Sequence, residues 1–217
     1  MATVMRHTSI LDRLLGEVDK AIRTVAPPPL RFSQREILTT NPPAERLTSE
    51  EKKHIAGLMR VNHAGEVCAQ ALYQGQALTA TQIPVKKQLE QAALEETEHL
   101  AWCEQRLREL DSQPSLFNPL WYMGSLCIGA VAGFAGDKWS LGFVAETEHQ
   151  VGKHLQNHLA KIPEKDVRSH AILKQMVADE MGHALMAENA GAVVLPGFIK
   201  KTMGFVAKLM TKTSYYL

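Results

Sequence analysis

The chain has 217 residues, 45% of them hydrophobic and 22% charged, with a formal net charge of +1. That length holds one domain with extensions and readily buries a core, while the balanced charge and the lack of any base-reading motif exclude a nucleic-acid partner. Cys68, Cys103 and Cys127 are odd in number and show no CxxC spacing, which excludes a disulfide framework and a thiolate zinc site and fits a reducing compartment.

Residues 9–25 read as a short amphipathic helix, with Ile10, Leu14, Val18, Ile22 and Val25 at helical spacing and Ser9 placed to cap it. Asp12, Glu17 and Asp19 interrupt this segment, so it reads neither as a signal peptide nor as a mitochondrial transit peptide. Pro27-Pro28-Pro29 ends it, and residues 30–47 read as an irregular connector. The expected division is an extension over 1–47 and a bundle domain over 48–217. Thr48-x-x-Glu51 is a capping-box pattern, and periodicity runs on to about Ala80 through Ile55, Met59, Ala69, Tyr73 and Ala77. A second long helix begins near Pro84, with Val85, Leu89, Ala92, Glu96, His99, Cys103, Leu107 and Leu110 on its stripe. A third spans about Trp139 to Leu159, and a fourth about Asp166 to Val194. The order is helix pair, long connector over 112–138, helix pair. That suits an all-α, ferritin-like four-helix bundle with a long apolar crossover and extra N- and C-terminal helices.

Chemistry enters through one repeated pattern. Glu96-Thr-Glu-His99 stands in the first half and Glu180-Met-Gly-His183 in the second. Each follows a glutamate on the preceding apolar stripe, Glu66 by 30 residues and Glu148 by 32. A glutamate from each of two helices plus Glu-x-x-His from each of two others is how a bundle core holds two metal ions. An ionised carboxylate removed from water costs several kcal/mol unless paired, and no set of lysines or arginines lies on these stripes. Four carboxylates and two divalent ions balance in charge, and His99 and His183 add neutral donors. A Glu and a His three positions apart sit about 60° apart around a helix, so both can grip one ion. Oxygen-rich ligation with one imidazole per ion suits iron or manganese better than zinc. Periodicity selects Glu148 over Glu146 and Glu96 over Glu95. It leaves Glu95, Glu98, Glu104 and Glu109 as surface groups. His63 and His154 read either as donors that orient a ligand or as ordinary imidazoles. His7, His54, His149, His158 and His170 read as surface or incidental, and Cys68 and Cys103 as small core residues.

Residues 112–136 carry no charged side chain, and Leu120–Ala135 is strongly apolar with glycines at 124, 129 and 133. Three readings stand: a membrane span, a helix dipping into lipid or walling an apolar channel, and a buried crossover packed closely through Gly129-x-x-x-Gly133. Over residues 197–217, Phe198, Ile199, Met203, Val206, Leu209 and Met210 can share one face beside Lys200, Lys201, Lys208 and Lys212. This basic amphipathic segment either adsorbs on anionic lipid or docks on the bundle.

Arg60-Val-Asn-His-Ala-Gly-Glu66, followed in order by Glu96-x-x-His99, Glu148 and Glu180-x-x-His183, resembles the ligand motifs of the demethoxyubiquinone hydroxylase family, the di-iron monooxygenases of ubiquinone biosynthesis. The resemblance covers about residues 48–217 and departs at Asn62, where many members carry Asp, and at Leu155, where animal members carry Tyr. It implies hydroxylation of a polyprenyl demethoxyubiquinol ring carbon, with O₂ and an external reductant, at two Fe ions per chain. Glu96 and Glu180 would bridge the ions, Glu66 with His99 and Glu148 with His183 would complete the two sets, and a prenyl tail would pass along the apolar connector. The expected location is peripheral, on the cytoplasmic face of a bacterial inner membrane, with self-association and other ubiquinone-biosynthesis proteins as further partners. A ferroxidase or peroxide scavenger, a manganese catalase and a non-enzymatic quinone-presenting scaffold are the competing functions.

Overall fold

A computed structural model describes residues 9–26, 31, 33–35 and 47–217; Pro27–Pro29, His7 and most of the 30–47 connector lie outside the described residues. The elements are α1 (Ile10–Val25), α2 (Ser49–Thr79), α3 (Ile83–Glu109), α4 (Asn118–Phe134), α5 (Asp137–Leu159), α6 (Val167–Asn189) and α7 (Gly197–Ser214), with no strand among the described residues. Local chemistry sets most of the ends. Ser9 and Thr48 form capping boxes with Asp12 and Glu51. Asp137 begins α5 and also accepts from the backbone of Thr81 and Gln82, which stabilises the start of α3. At the end of α3, Asp111 adopts a left-handed φ of 56°, while Ser112 N–H reaches Leu107 O and Asp111 N–H reaches Arg108 O. Gly191 does the same for α6 at φ 97°, with Ala192 N–H on Ala187 O. This is why α6 stops at Asn189 rather than continuing to Val194 as its apolar stripe suggests.

Helices α2, α3, α5 and α6 form the bundle. Their buried faces build one apolar layer from Ile55, Met59, Leu107, Leu155, Leu173 and Met176, and another from Tyr73, Leu89, Leu141, Val144 and Ala187. The paired motifs lie between these layers. The connector is helical over α4, and its contacts with α2 advance together: Asn118 meets His63, Gly129 meets Leu72, and Gly133 meets Thr79. Helix α4 thus runs parallel to α2 along the bundle and returns the chain to the end where α5 must start. None of the described helices is long and apolar enough to cross a membrane, so the span reading falls away. The segment is a crossover but not a buried one: α4 packs on α2 through its glycine face and lines a cavity with another, while Leu120, Met123, Val131 and Phe134 stay exposed.

The close α2–α4 approach depends on glycine. A methyl group at Gly129 would overlap the carbonyl oxygen of Leu72, and backbone cannot step aside as a side chain can. Gly124 on the same helix faces open space. Gly129→Ala is therefore expected to destabilise the fold by about 1–3 kcal/mol despite the better helix propensity of alanine. Gly124→Ala should be neutral or slightly stabilising. Chemical denaturation of the two variants checks the pair, and equal stabilities would refute the packing account.

Helix α7 docks on the bundle. Tyr215 packs against His54 and hydrogen-bonds its ring at 2.6 Å, and Lys200 pairs with Glu146 at 2.6 Å. Arg60 ties the start of the crossover to the end of α7, donating to Gln113 O, Ser112 Oγ and Tyr215 O at 2.7–3.0 Å. Docking does not use the whole apolar face of α7, because Phe198, Phe205, Val206 and Leu209 stay exposed.

Candidate metal centre

Each bundle helix sends its polar stripe residues inward. Glu66 comes from α2, Glu96 and His99 from α3, Glu148 from α5, and Glu180 and His183 from α6. The four carboxylates are at most 1% exposed, His99 is fully buried and His183 is 6% exposed. Their ligand atoms form two groups, each within 4.8 Å: Glu66, Glu96, His99, Glu180, and Glu96, Glu148, Glu180, His183. Glu96 and Glu180 belong to both groups. His99 Nδ1 lies 2.9 Å from Glu96, 3.3 Å from Glu180 and 3.7 Å from Glu66. His183 Nδ1 lies 3.3 Å from Glu96 and 3.4 Å from Glu180.

These atoms lack the partners that buried polar groups normally find. Glu66 Oε1, Glu96 Oε1, Glu148 Oε2, both Glu180 oxygens and His183 Nδ1 are buried without a hydrogen bond. Carboxylate oxygens in both overlapping groups, orphaned together with one imidazole nitrogen, fit a pair of hard or borderline divalent cations. The electrostatics agree. Burial, reinforced by the charges of Glu96 and Glu180, pushes Glu66 well above its ordinary value. Burial and the charges of Glu180 and Glu96 do the same to Glu148. Burial opposes charge on His183, but the close carboxylates of Glu180 and Glu96 and the charge of Glu148 outweigh it and raise the ring to about 12. Protons and cations thus compete for the same atoms.

The groups that orient the two imidazoles differ from the expectation. His99 Nε2 donates to Asp179 Oδ2 at 3.0 Å, and His183 Nε2 donates to Glu95 Oε2 at 2.8 Å. Each acid immediately precedes the shared glutamate of the opposite motif, so the two motifs hold each other's rings across the α3–α6 contact. Tyr73 donates a short hydrogen bond to Glu148 Oε1, leaving Oε2 free. Glu95 is therefore not a surface group. Nor is Glu104, which is 3% exposed and accepts from His63 at 3.2 Å, nor the half-buried Glu98, which Ser33, Gln34 and Arg35 engage. His63 contacts Glu104 and Asn118 rather than a ligand. His154 lies against His158 with ring centroids 4.0 Å apart and hydrogen-bonds none of the six residues. His158 is not incidental: it is 3% exposed, bonds Asn62 at 2.7 Å, and burial lowers it to about 3. The remaining choices of periodicity hold, with Glu148 at the centre and Glu146 paired outward to Lys200.

A cavity of about 860 Å³ opens between α2, α4, α5 and α7 and reaches Glu66. Gly65, Cys68, Ala69 and Leu155 line its inner part, and Leu120, Ile128, Phe198 and Val206 line it while remaining exposed. Cys68 is thus a half-buried wall residue rather than a core residue. A smaller, more polar cleft of about 590 Å³ lies on the other side, between α3 and α6, bounded by Glu95, Asp179 and His183.

Comparison with known proteins follows the same lines. Residues 53–214 match the family described as Ubiquinone biosynthesis protein COQ7. The chain is 61% identical over 213 residues to the 3-demethoxyubiquinol 3-hydroxylase of Legionella pneumophila (strain Paris), covering 98% of this chain and all of that protein. It is 56% identical over 217 residues to the protein of the same name from Acinetobacter baylyi, with 98% of this chain and all of that protein covered. Among solved structures, a dodecameric thioferritin, the bacterioferritin-related protein from Bacteroides fragilis, superposes with a TM-score of 0.55 at 20% identity. The match covers 64% of this chain and 84% of that one, and it carries the ferritin-like fold alone.

Proposed function

The chain belongs to the COQ7 family of ubiquinone biosynthesis proteins, and from that premise we propose that it is a 3-demethoxyubiquinol 3-hydroxylase working with two iron ions. The observation that carries this reading is the junction of two features: a buried carboxylate–imidazole cluster with orphaned ligand atoms, and an apolar cavity that ends at one of its glutamates. A ferroxidase or peroxide scavenger has no use for the second feature. Glu96 and Glu180, shared by both groups, would hold both ions, Glu66 and His99 one of them and Glu148 and His183 the other. Iron held there would supply the activation of O₂, with one oxygen atom entering the ring and the other leaving as water after taking two electrons from an external reductant and two protons.

The residues of the chain do the rest. Asp179 and Glu95 accept the Nε2 protons of His99 and His183, which fixes each ring with Nδ1 inward. Tyr73 fixes the rotamer of Glu148 in the same way. The cavity excludes water and admits a quinol ring toward Glu66, while its length and apolar wall suit a prenyl tail. His154 Nε2 and Thr147 Oγ1, buried on that wall without a hydrogen-bond partner, are available to meet a ring oxygen.

The cavity mouth explains how such a substrate arrives. Leu120, Met123, Val131 and Phe134 of α4 and Phe198, Phe205, Val206 and Leu209 of α7 are exposed. Helix α1, packed beside α4, turns Leu11, Leu14, Leu15, Val18 and Ile22 outward as well. With the lysines of α7, these faces support peripheral adsorption on anionic lipid with the mouth against the bilayer. A cell lacking this chain is expected to accumulate demethoxyubiquinone and lose ubiquinone. The wild-type chain should restore it, and Glu148→Ala should not. Quinone profiling decides, and full restoration by Glu148→Ala would refute the assignment.

A further inference from the structure

Part of the N-terminal extension, which lies outside the matched family region, reaches the metal centre. Its described residues are clamped onto α3. Trp102 Nε1 donates to Ser33 Oγ at 2.8 Å and to Arg35 O at 3.0 Å. Glu98 accepts from the backbone N–H groups of Gln34 and Arg35 at 2.9 and 3.2 Å. Arg31 pairs with the buried Glu104 at 3.3 Å. This clamp delivers the Arg35 guanidinium, 5.3 Å above the Trp102 ring, to Asp179 in a two-pronged contact of 3.0 and 3.2 Å. Asp179 in turn holds His99, whose ring lies 5.3 Å from that of Trp102.

The opposite half is built differently. Glu95, which holds His183, is 39% exposed at its side chain against 14% for Asp179. Its other hydrogen bond is from the neutral Gln91, and among the described residues it forms no ion pair with a lysine or arginine. A planar guanidinium on a carboxylate fixes position as well as charge. One imidazole is thus anchored by an acid that a guanidinium clamps, and the other by a more exposed acid supported by a neutral amide alone.

We propose that Arg35 is a positioning residue for the metal centre, acting through Asp179 on His99, so that the His99 half binds its ion more tightly than the His183 half. The inference rests on the two-metal reading above. It gives the N-terminal extension a role that the bundle motifs do not reveal: the strap completes one half of the centre from outside the bundle.

The test is titration of the full-length, metal-freed chain with Co(II) under anaerobic conditions, read by visible absorption. Wild type should bind two ions in two steps. Arg35→Ala should still bind two, with the tighter step weakened about tenfold, the lower end of what losing a supporting contact costs. Glu95→Gln should weaken the other step. Arg35→Lys, which keeps the charge without the fork, should recover only part of the loss. The Arg35→Ala/Asp179→Ala double variant should bind no more weakly than Asp179→Ala alone, because the two act in series. Additive losses, or unchanged tight binding in a folded Arg35→Ala, would overturn the proposal. A wild type that binds no metal would instead defeat the two-metal reading. Should Arg35→Ala fail to fold, wild type alone remains decisive. Linkage requires that metal loading slow amide exchange at Gln34 and Arg35 if the strap aids binding. Identical exchange with and without metal would refute it.

Discussion

Alanine at Glu180 or at Glu96 is expected to remove at least one of two bound iron ions and to lower hydroxylation more than about a hundredfold, beyond what loss of an orienting contact alone costs. Both carboxylates belong to both ligand groups, so neither ion keeps a full set without them. Bound iron stabilises the folded chain by mass action. It should therefore raise the melting point of wild type far more than that of Glu180→Ala. Iron content and paired melting curves check both halves. Retention of two ions by both variants would remove the ligand assignment.

Closing the cavity should also lower turnover, while leaving the metals alone. Gly65 lies beside Glu66 on the cavity wall, and a side chain built there meets nothing within 4 Å. Gly65→Leu should fold at least as well as wild type, since leucine is favoured over glycine within a helix by roughly 0.8 kcal/mol. It should bind the same iron. Its leucine would occupy the approach to Glu66, so hydroxylation of a prenylated quinol is expected to fall by at least about tenfold. Full activity in Gly65→Leu would mean that the substrate reaches the centre by another route, such as the α3–α6 cleft beside His183.

The six central residues were legible because a bundle imposes a period. A group that is to hold a buried cation must point into the core, and Glu66, Glu96, His99, Glu148, Glu180 and His183 fall on apolar stripes where an unpaired charge is costly. The groups that hold them have no such signature. Glu95 and Asp179 sit one position off the stripe, where an acid ordinarily faces water, and each finds its partner on another helix. The signal available was the doublet itself, since each Glu-x-x-His follows another acid, Glu95-Glu96 and Asp179-Glu180. Tyr73 read as core because its ring is buried and only its hydroxyl reaches Glu148. The setting of helix α4 stayed open among three readings because it is apolar, rich in glycine and flanked by proline; the close backbone contact with α2 at Gly129 is a tertiary fact that no local pattern encodes. Arg35 lay beyond sequence reasoning altogether, because nothing local marks an exposed arginine in a connector as the partner of an acid 144 positions away.

The central claim, a monooxygenase built on this centre, is tested most directly by supplying the reduced, iron-loaded chain with demethoxyubiquinol and heavy-isotope O₂. A metal pair that activates O₂ beside the quinol ring predicts one heavy oxygen in the new hydroxyl group. A hydroxylated product without the label, or no hydroxylated product from a chain carrying two iron ions, would contradict it.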